Sequence, residues 1–184
     1  MPILKREPDL FPDDFFALPA GEWRWWVAHL RSRQEKLAAR EAGARGVPFY
    51  LPQREQLLRT GGRRRVSYLP LFPGYLFFRG SAERERLEIL KTNLCVRILE
   101  VVDQGAIAHD LGQIHRLQRS GHVLVPHPEI TVGDDVRISD GPFRGMTGKV
   151  VQEKGTERLV VSVRFIHRAV AVELHREALA PAPR

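Results

Sequence analysis

The pattern of apolar residues changes near residue 130, and this change limits the possible folds more than any other feature of the sequence. Before that point, short apolar runs alternate with stretches of helical spacing, which is typical of a sheet covered by helices. After it, short β-branched runs follow one another at intervals of roughly ten residues, separated by glycine turns. The 184 residues therefore predict two small domains of different class.

The first domain is predicted over residues 21–119 as an α/β fold, an α+β sandwich with one mixed sheet. It opens with a buried apolar strand at 25–30. A helix follows to about residue 42, with Ser32 and Glu35 as a capping box and Leu37 facing inward. The other predicted elements are a hairpin of strands 53–59 and 63–69 around Gly61 and Gly62, a strand at 75–78, a helix at 83–90, a strand at 96–101 and a helix at 107–119.

The other parts of the chain have different compositions. Residues 1–20 carry four prolines and no sustained periodicity, which predicts a mobile or loosely docked tail. Residues 120–129 contain two prolines and two histidines and predict a linker. Residues 130–180 have enough short strands for a small all-β barrel.

Positive charge is concentrated in one segment. The chain carries a net +7, yet residues 24–65 hold eleven basic and three acidic side chains, a net of +8. Residues 130–180 are nearly balanced, with eight basic and seven acidic side chains. The N-terminal domain is therefore expected to meet an anionic partner, most commonly nucleic acid, although a solvated basic surface is the alternative.

The sequence contains no arrangement of residues typical of an enzyme. The sequence lacks phosphate-binding glycine loops, and its seven histidines show no pairing typical of a metalloprotease. Cys95 is the only cysteine and is expected to be a buried small hydrophobe in a reducing cytosol. No apolar run is long enough for a membrane span. We therefore expect a cytoplasmic, monomeric binding protein with no catalytic residues, metal or cofactor.

Two clusters predict binding instead. Arginine side chains in the hairpin suit phosphate groups, and its glycines let the tip extend away from the domain. Residues 70–78, together with Trp25 and Trp26, are more apolar than a domain of this size needs, so part of them is expected to face a protein partner. Phe72 and Tyr75 flank a Pro-Gly bend, and contact and core roles are both open for them.

The motifs resemble a known family. The run Trp25-Trp26-Val27 with its basic helix, the hairpin tip, and residues 71–76 resemble the N-terminal (NGN) domain of NusG and RfaH proteins. Residues 132–150 and 161–174 resemble a KOW motif, an SH3-like barrel. The resemblance covers about residues 23–180 and implies a transcription elongation or antitermination factor that suppresses pausing or termination.

The resemblance also implies partners and their contact residues. RNA polymerase would be bound at the clamp helices of its β′ subunit by Trp26, Tyr68, Phe72, Pro73 and Tyr75. Non-template DNA would be contacted by Arg31, Arg33, Arg63, Arg64 and Arg65. The barrel would recruit a small-subunit ribosomal protein or Rho through Phe143, Ile166, His167 and Arg168.

Two departures refine this resemblance. Ile166-His167-Arg168 stands where the family has an aromatic-Gly-Arg turn, and residues 70–77 look closer to a specialised paralogue than to housekeeping NusG. The valines of residues 159–174 predict strands rather than the helices that some paralogues form there. The alternative is a ribosome-associated or RNA-binding KOW protein without a polymerase role, against which the balanced charge of residues 130–180 argues.

Overall fold

The computed structural model describes residues 7–60, 63–81, 83–128, 134–153 and 155–174, leaving out the side chains of 58–60, 63–65 and 134. The chain divides into two compact units, Met1–Gln104 and Gly105–Arg184. The first unit contains β1 (Leu10–Phe11), β2 (Arg24–Leu30), α1 (Glu35–Ala44), β3 (Phe49–Tyr50), β4 (Gln53–Thr60), β5 (Arg63–Pro70), β6 (Tyr75–Gly80), α2 (Arg84–Lys91) and β7 (Cys95–Glu100). The second contains α3 (Gln104–Arg119), which begins at the boundary, β8 (Val125–Pro128), β9 (Asp134–Arg137), β10 (Thr147–Glu153), β11 (Thr156–Val163) and β12 (Arg168–Glu173).

The main sheet of the first unit has the strand order β1-β3-β6-β2-β7. Every neighbouring pair runs antiparallel, so the prediction of a mixed sheet is wrong. The central strands β2 and β6 are buried along almost their whole length, because side chains pack on both faces of the sheet. The predicted strands at 25–30 and 75–78 are confirmed.

One face of this sheet packs into a core with both helices. Helix α1 contributes alanines alone to it, whereas Leu37 is 38% exposed, so its predicted inward orientation is wrong. The core consists of Trp26, Ala28, Leu30, Ala38, Ala39, Ala42, Val47, Phe49, Leu51, Leu76, Phe78 and Ile89.

The start of α1 differs from the prediction. Gln34 occupies the N-cap position without a side-chain cap, and the preceding Arg33 has a φ of 63°. The predicted capping box of Ser32 and Glu35 is therefore wrong, because the carboxylate of Glu35 bonds elsewhere. The helix ends before Gly46, whose φ of 68° suits a residue without a Cβ.

The N-terminal segment is an integral part of the first unit. Phe15 is fully buried, with its ring edge-on to Phe16 and to Trp25, each at 5.3 Å between ring centroids. Tyr50 lies against the same cluster, 6.3 Å from the ring of Phe15. For the described residues from 7 onward, the prediction of a loosely docked tail is therefore wrong.

Arg79 fastens this segment to the sheet. Its side chain is 3% exposed, and burial lowers the pKa of its guanidinium. The guanidinium donates hydrogen bonds to backbone carbonyls rather than to a carboxylate, so buried main-chain oxygens of the segment are satisfied. The acceptors are the carbonyls of Phe15 (3.3 Å), Leu18 (2.8 Å), Pro19 (3.0 Å) and Trp23 (2.9 Å).

The predicted hairpin is confirmed as a separate two-stranded sheet. Strands β4 and β5 pair from Gln53 opposite Pro70 to Thr60 opposite Arg63. The tip glycines Gly61 and Gly62 lie outside the described residues.

The second unit consists of α3 and a five-stranded antiparallel sheet of order β8-β12-β11-β10-β9. The predicted strands of this part are confirmed as strands. Strand β8, however, lies within residues 120–129, which were predicted as a linker. Helix α3 binds the sheet through Gln113, whose Oε1 accepts a 2.6 Å hydrogen bond from the Thr147 amide. The chain divides into its two compact units after Gln104. This division does not test the domain bounds predicted from the sequence, which stay a prediction.

Candidate functional site

A tight turn at the end of the main sheet positions the first candidate site. The amide of Tyr75 donates to the carbonyl of Phe72 at 3.2 Å, with Pro73 and Gly74 between them. Gly74 has a φ of 84°, which together with the preceding proline matches a type II turn. The sequence signal of the Pro-Gly bend was therefore correct.

Two contacts from neighbouring elements fix this turn. The Gly74 amide donates a 2.7 Å hydrogen bond to Oε1 of Glu35, a buried carboxylate at the start of α1. The Gly74 carbonyl accepts a 2.8 Å bond from the amide of Leu30 at the end of β2. Both polar groups of Gly74 are thus satisfied, and the turn is held against two elements of the core.

The turn displays a small aromatic surface. Pro73 is exposed, and Tyr75 is half-buried with its ring stacked on the imidazole of His29 at 5.4 Å and an interplanar angle of 27°. We call Pro73, Tyr75 and His29 the turn surface. Its two rings support each other on adjacent strands, which holds them in one orientation.

Two of the predicted polymerase-binding residues lie inside the unit. Trp26 is 5% exposed and stacks on Phe78 at 6.5 Å. Phe72 is 2% exposed and meets Phe77 edge-on at 6.0 Å. Tyr68 is half-buried on the hairpin. Of the five residues, Pro73 and Tyr75 are thus brought together at the surface.

The predicted nucleic-acid contacts fall in two places. Arg31 and Arg33 are exposed in the loop between β2 and α1, and the Arg31 amide donates to the carbonyl of Leu94 at 3.0 Å. This bond places the loop beside the start of β7, at the same end of the sheet as the turn surface. Arg63, Arg64 and Arg65 belong to β5, but their side chains lie outside the described set.

The predicted partner residues of the second unit are only partly exposed. Phe143 is 3% exposed, with the His122 ring at 4.7 Å, and Ile166 is 5% exposed. His167 and Arg168 are exposed, and His167 adopts a left-handed backbone with a φ of 51°. The side chains of His167 and Arg168 are thus accessible, whereas those of Phe143 and Ile166 are buried.

A buried carboxylate anchors the turn that carries His167. Asp110 of α3 accepts three hydrogen bonds from Arg164, the first residue of that turn. The donors are the amide (3.1 Å), Nε (3.2 Å) and Nη2 (3.0 Å) of Arg164. Charge-assisted bonds of this kind fix geometry as well as adding energy.

Sequence reasoning missed Glu35, His29 and Asp110. Glu35 was interpreted as a local cap, and its bond to Gly74 spans 39 positions that no local pattern links. His29 had a detectable signal, because it occupies a polar position within a buried apolar strand. Asp110 sits on the buried face of α3, and no neighbouring sequence position indicates its partner.

The described part of the chain offers no cluster of three or more His, Cys, Asp or Glu side chains that could hold a metal ion. Among the same residues, no helix is both long and apolar enough to cross a membrane.

The fold combines an α+β N-terminal unit with a C-terminal unit that consists of one helix, α3, and an antiparallel five-stranded sheet. The family model described as "Transcription termination factor nusG" matches residues 23–113. The chain is 30% identical to the transcription termination/antitermination protein NusG of Pasteurella multocida (strain Pm70) over 136 residues, covering 67% of this chain and 71% of the relative. It is 32% identical to the NusG proteins of Yersinia pestis and Escherichia coli (strain K12) over 133 residues. Each of these alignments covers 67% of this chain and 72% of the relative.

The chain therefore belongs to the NusG family. Among solved structures, it resembles a chain of the MjSpt4:Spt5 complex in conformation B at 17% identity, with a TM-score of 0.30, over 87% of this chain and 97% of that chain. That likeness is too weak to support an argument.

Proposed function

We propose that this chain is a transcription elongation and antitermination factor that binds RNA polymerase through its N-terminal unit and suppresses pausing or termination. The observation that supports this most strongly is the turn surface, a rigid aromatic contact within the part of the chain that matches the family model. Aromatic side chains that are held rigid make strong anchors in protein interfaces. The clamp helices of the β′ subunit are the proposed contact, and the cytoplasm is the proposed location.

In vitro transcription tests this function. Purified polymerase would transcribe, in a single round, a template with a defined pause and an intrinsic terminator, with and without the full chain. We expect shorter pauses or more read-through with the chain present, and loss of this effect with Tyr75→Ala.

Val102→Ala is the matched control, since Val102 is 89% exposed and follows β7 at the opposite end of the sheet. An unchanged pause and terminator profile with the wild-type chain would contradict the function. An equal loss with both variants would contradict the role of Tyr75.

A nucleic-acid contact is proposed for the arginines beside the turn surface and in the hairpin. Arg31 and Arg33 are exposed and make no ion pair with any described residue. Phosphate contacts by arginine weaken as salt rises, because condensed counterions are released on binding. Replacing both with alanine should therefore reduce the salt dependence of non-template DNA binding, and an unchanged salt dependence would argue against this contact.

A second partner is proposed for the C-terminal unit, with His167 and Arg168 as the accessible residues. A small-subunit ribosomal protein and Rho are the two candidates. Binding of each purified candidate to the full chain, compared with His167→Ala, would test this role, and equal binding by both chains would contradict it.

A further inference from the structure

Strand β7 is irregular beside the turn surface. His29 of β2 lies opposite Arg97, whereas the next residue, Leu30, lies opposite Cys95. Val96 is therefore an extra residue on β7, which is the arrangement of a β-bulge. Bulges redirect side chains and occur often beside functional sites.

The bulge sets an apolar and a cationic side chain next to the turn surface. Val96 is 59% exposed, and Arg97 is exposed. Since residues directly opposite each other share a face of a sheet, Arg97 stands on the same face as His29 and, through His29, as Tyr75. Tyr75, His29 and Arg97 thus form a row across three adjacent strands.

Apart from the buried carboxylate of Glu35, the charged side chains beside the turn surface are positive. Arg97 makes no ion pair with any described residue, and the loop next to it carries the exposed Arg31 and Arg33. Glu100, the acidic residue of β7, pairs instead with Arg24 at 3.5 Å. A partner that covers this surface must therefore supply its own negative charge to Arg97.

A protein partner fits the row better than single-stranded nucleic acid. Base stacking needs an open aromatic face, but Tyr75 is half-buried and stacks on His29. Pro73 and Val96 add exposed apolar groups that suit a protein side chain. Apolar contacts beside an unpaired arginine are typical of a protein interface.

We propose that Val96 and Arg97 extend the polymerase-docking surface and that Arg97 pairs with a carboxylate on the polymerase. This inference rests on the proposed function, because it names the chemistry of the partner at that same surface. Arg97 selects the partner by charge, while Pro73, Tyr75 and Val96 supply apolar contact.

Binding of the full chain to core RNA polymerase, measured at several salt concentrations, tests this proposal. Arg97→Glu should weaken binding by at least about ten-fold at low salt, since like charges repel across an interface. Arg97→Lys should restore most of the affinity, which a purely structural role of the guanidinium would not allow. Tryptophan fluorescence would show that each variant is folded.

Arg84→Glu is the matched control. The side chain of Arg84 is 85% exposed, and it follows β6 at the end of the sheet away from the turn. Its reversal should leave binding unchanged.

The possible results separate the inference from the function. If the wild-type chain binds and Arg97→Glu binds equally well, the inference is overturned while the proposed function stands. If the wild-type chain does not bind, both fail. If Arg97→Glu abolishes binding of a single-stranded oligonucleotide but not of polymerase, the surface is a nucleic-acid site and the inference is overturned.

Discussion

Replacing Phe15 with alanine should destabilise the first unit strongly. The ring is fully buried and touches Phe16 and Trp25 edge-on. Its transfer to water costs about 1.5–3 kcal/mol. The cavity left behind raises the expected loss of unfolding free energy to about 3–5 kcal/mol.

Urea denaturation followed by tryptophan fluorescence measures this loss. All three tryptophans, Trp23, Trp25 and Trp26, belong to the first unit, so the signal reports on that unit. Phe11→Ala is the control from the same segment, because Phe11 is 39% exposed. We expect Phe11→Ala to lower the free energy of unfolding by about 1 kcal/mol or less.

The comparison of the two variants decides whether the segment is part of the fold. A loss below about 1 kcal/mol for Phe15→Ala would refute the packing described for it. Losses below about 1 kcal/mol for both Phe15→Ala and Phe11→Ala would show that the N-terminal segment is only loosely attached.

Three further predictions use the same chain. Glu35→Ala leaves the amide of Gly74 without its acceptor and should lower the free energy of unfolding by about 1.5–3 kcal/mol. An unchanged midpoint of urea denaturation, followed by tryptophan fluorescence, would contradict the role of this carboxylate. Gly148→Ala would place a Cβ 2.5 Å from a backbone carbonyl oxygen of β11 and should lower the melting temperature. Gly112→Ala in α3 meets nothing within 4 Å and should raise the melting temperature. A higher melting temperature for Gly148→Ala than for Gly112→Ala would refute the packing of β10. Burial raises the pKa of the Cys95 thiol, so less thiolate is present at pH 8, and iodoacetamide should react more slowly with the folded than with the urea-unfolded chain; equal rates would contradict this.

Local patterns predicted much of the secondary structure. The apolar run at 25–30 and the glycine-tipped hairpin each carry their signal within a few residues, and both are confirmed. The valines of β11 and β12 likewise gave the strands of the second unit. Short-range spacing is sufficient to recognise such elements, because an apolar run or a glycine turn between two strands marks them within a few residues.

Long-range polar contacts could not be predicted in this way. Arg79 bonds carbonyls 56 to 64 positions away, and no periodicity connects them. The same contacts explain why the N-terminal segment was interpreted as a tail. Its prolines suggested mobility, but Phe15 and the bonds from Arg79 hold it on the sheet.

The candidate site was predicted only in part, because its packing also depends on contacts between residues far apart in the sequence. The surplus of apolar residues around Phe72 and Trp26 suggested an exposed face, on the assumption that residues 21–119 form the whole domain. Both side chains are buried, and the N-terminal segment adds Phe15 to the packing of the sheet. The exposed part of the surface depends instead on His29 and Arg97, which strand pairing brings beside Tyr75.

Equilibrium binding of the full chain to purified core RNA polymerase tests the central claim most directly. Tyr75 packs on His29 rather than on the core beneath the helices, so Tyr75→Ala should remove a contact without unfolding the unit. The account predicts that the wild-type chain binds and that Tyr75→Ala raises Kd by at least about ten-fold, as loss of an aromatic anchor does. Absence of wild-type binding, or the same Kd for both chains, would contradict it.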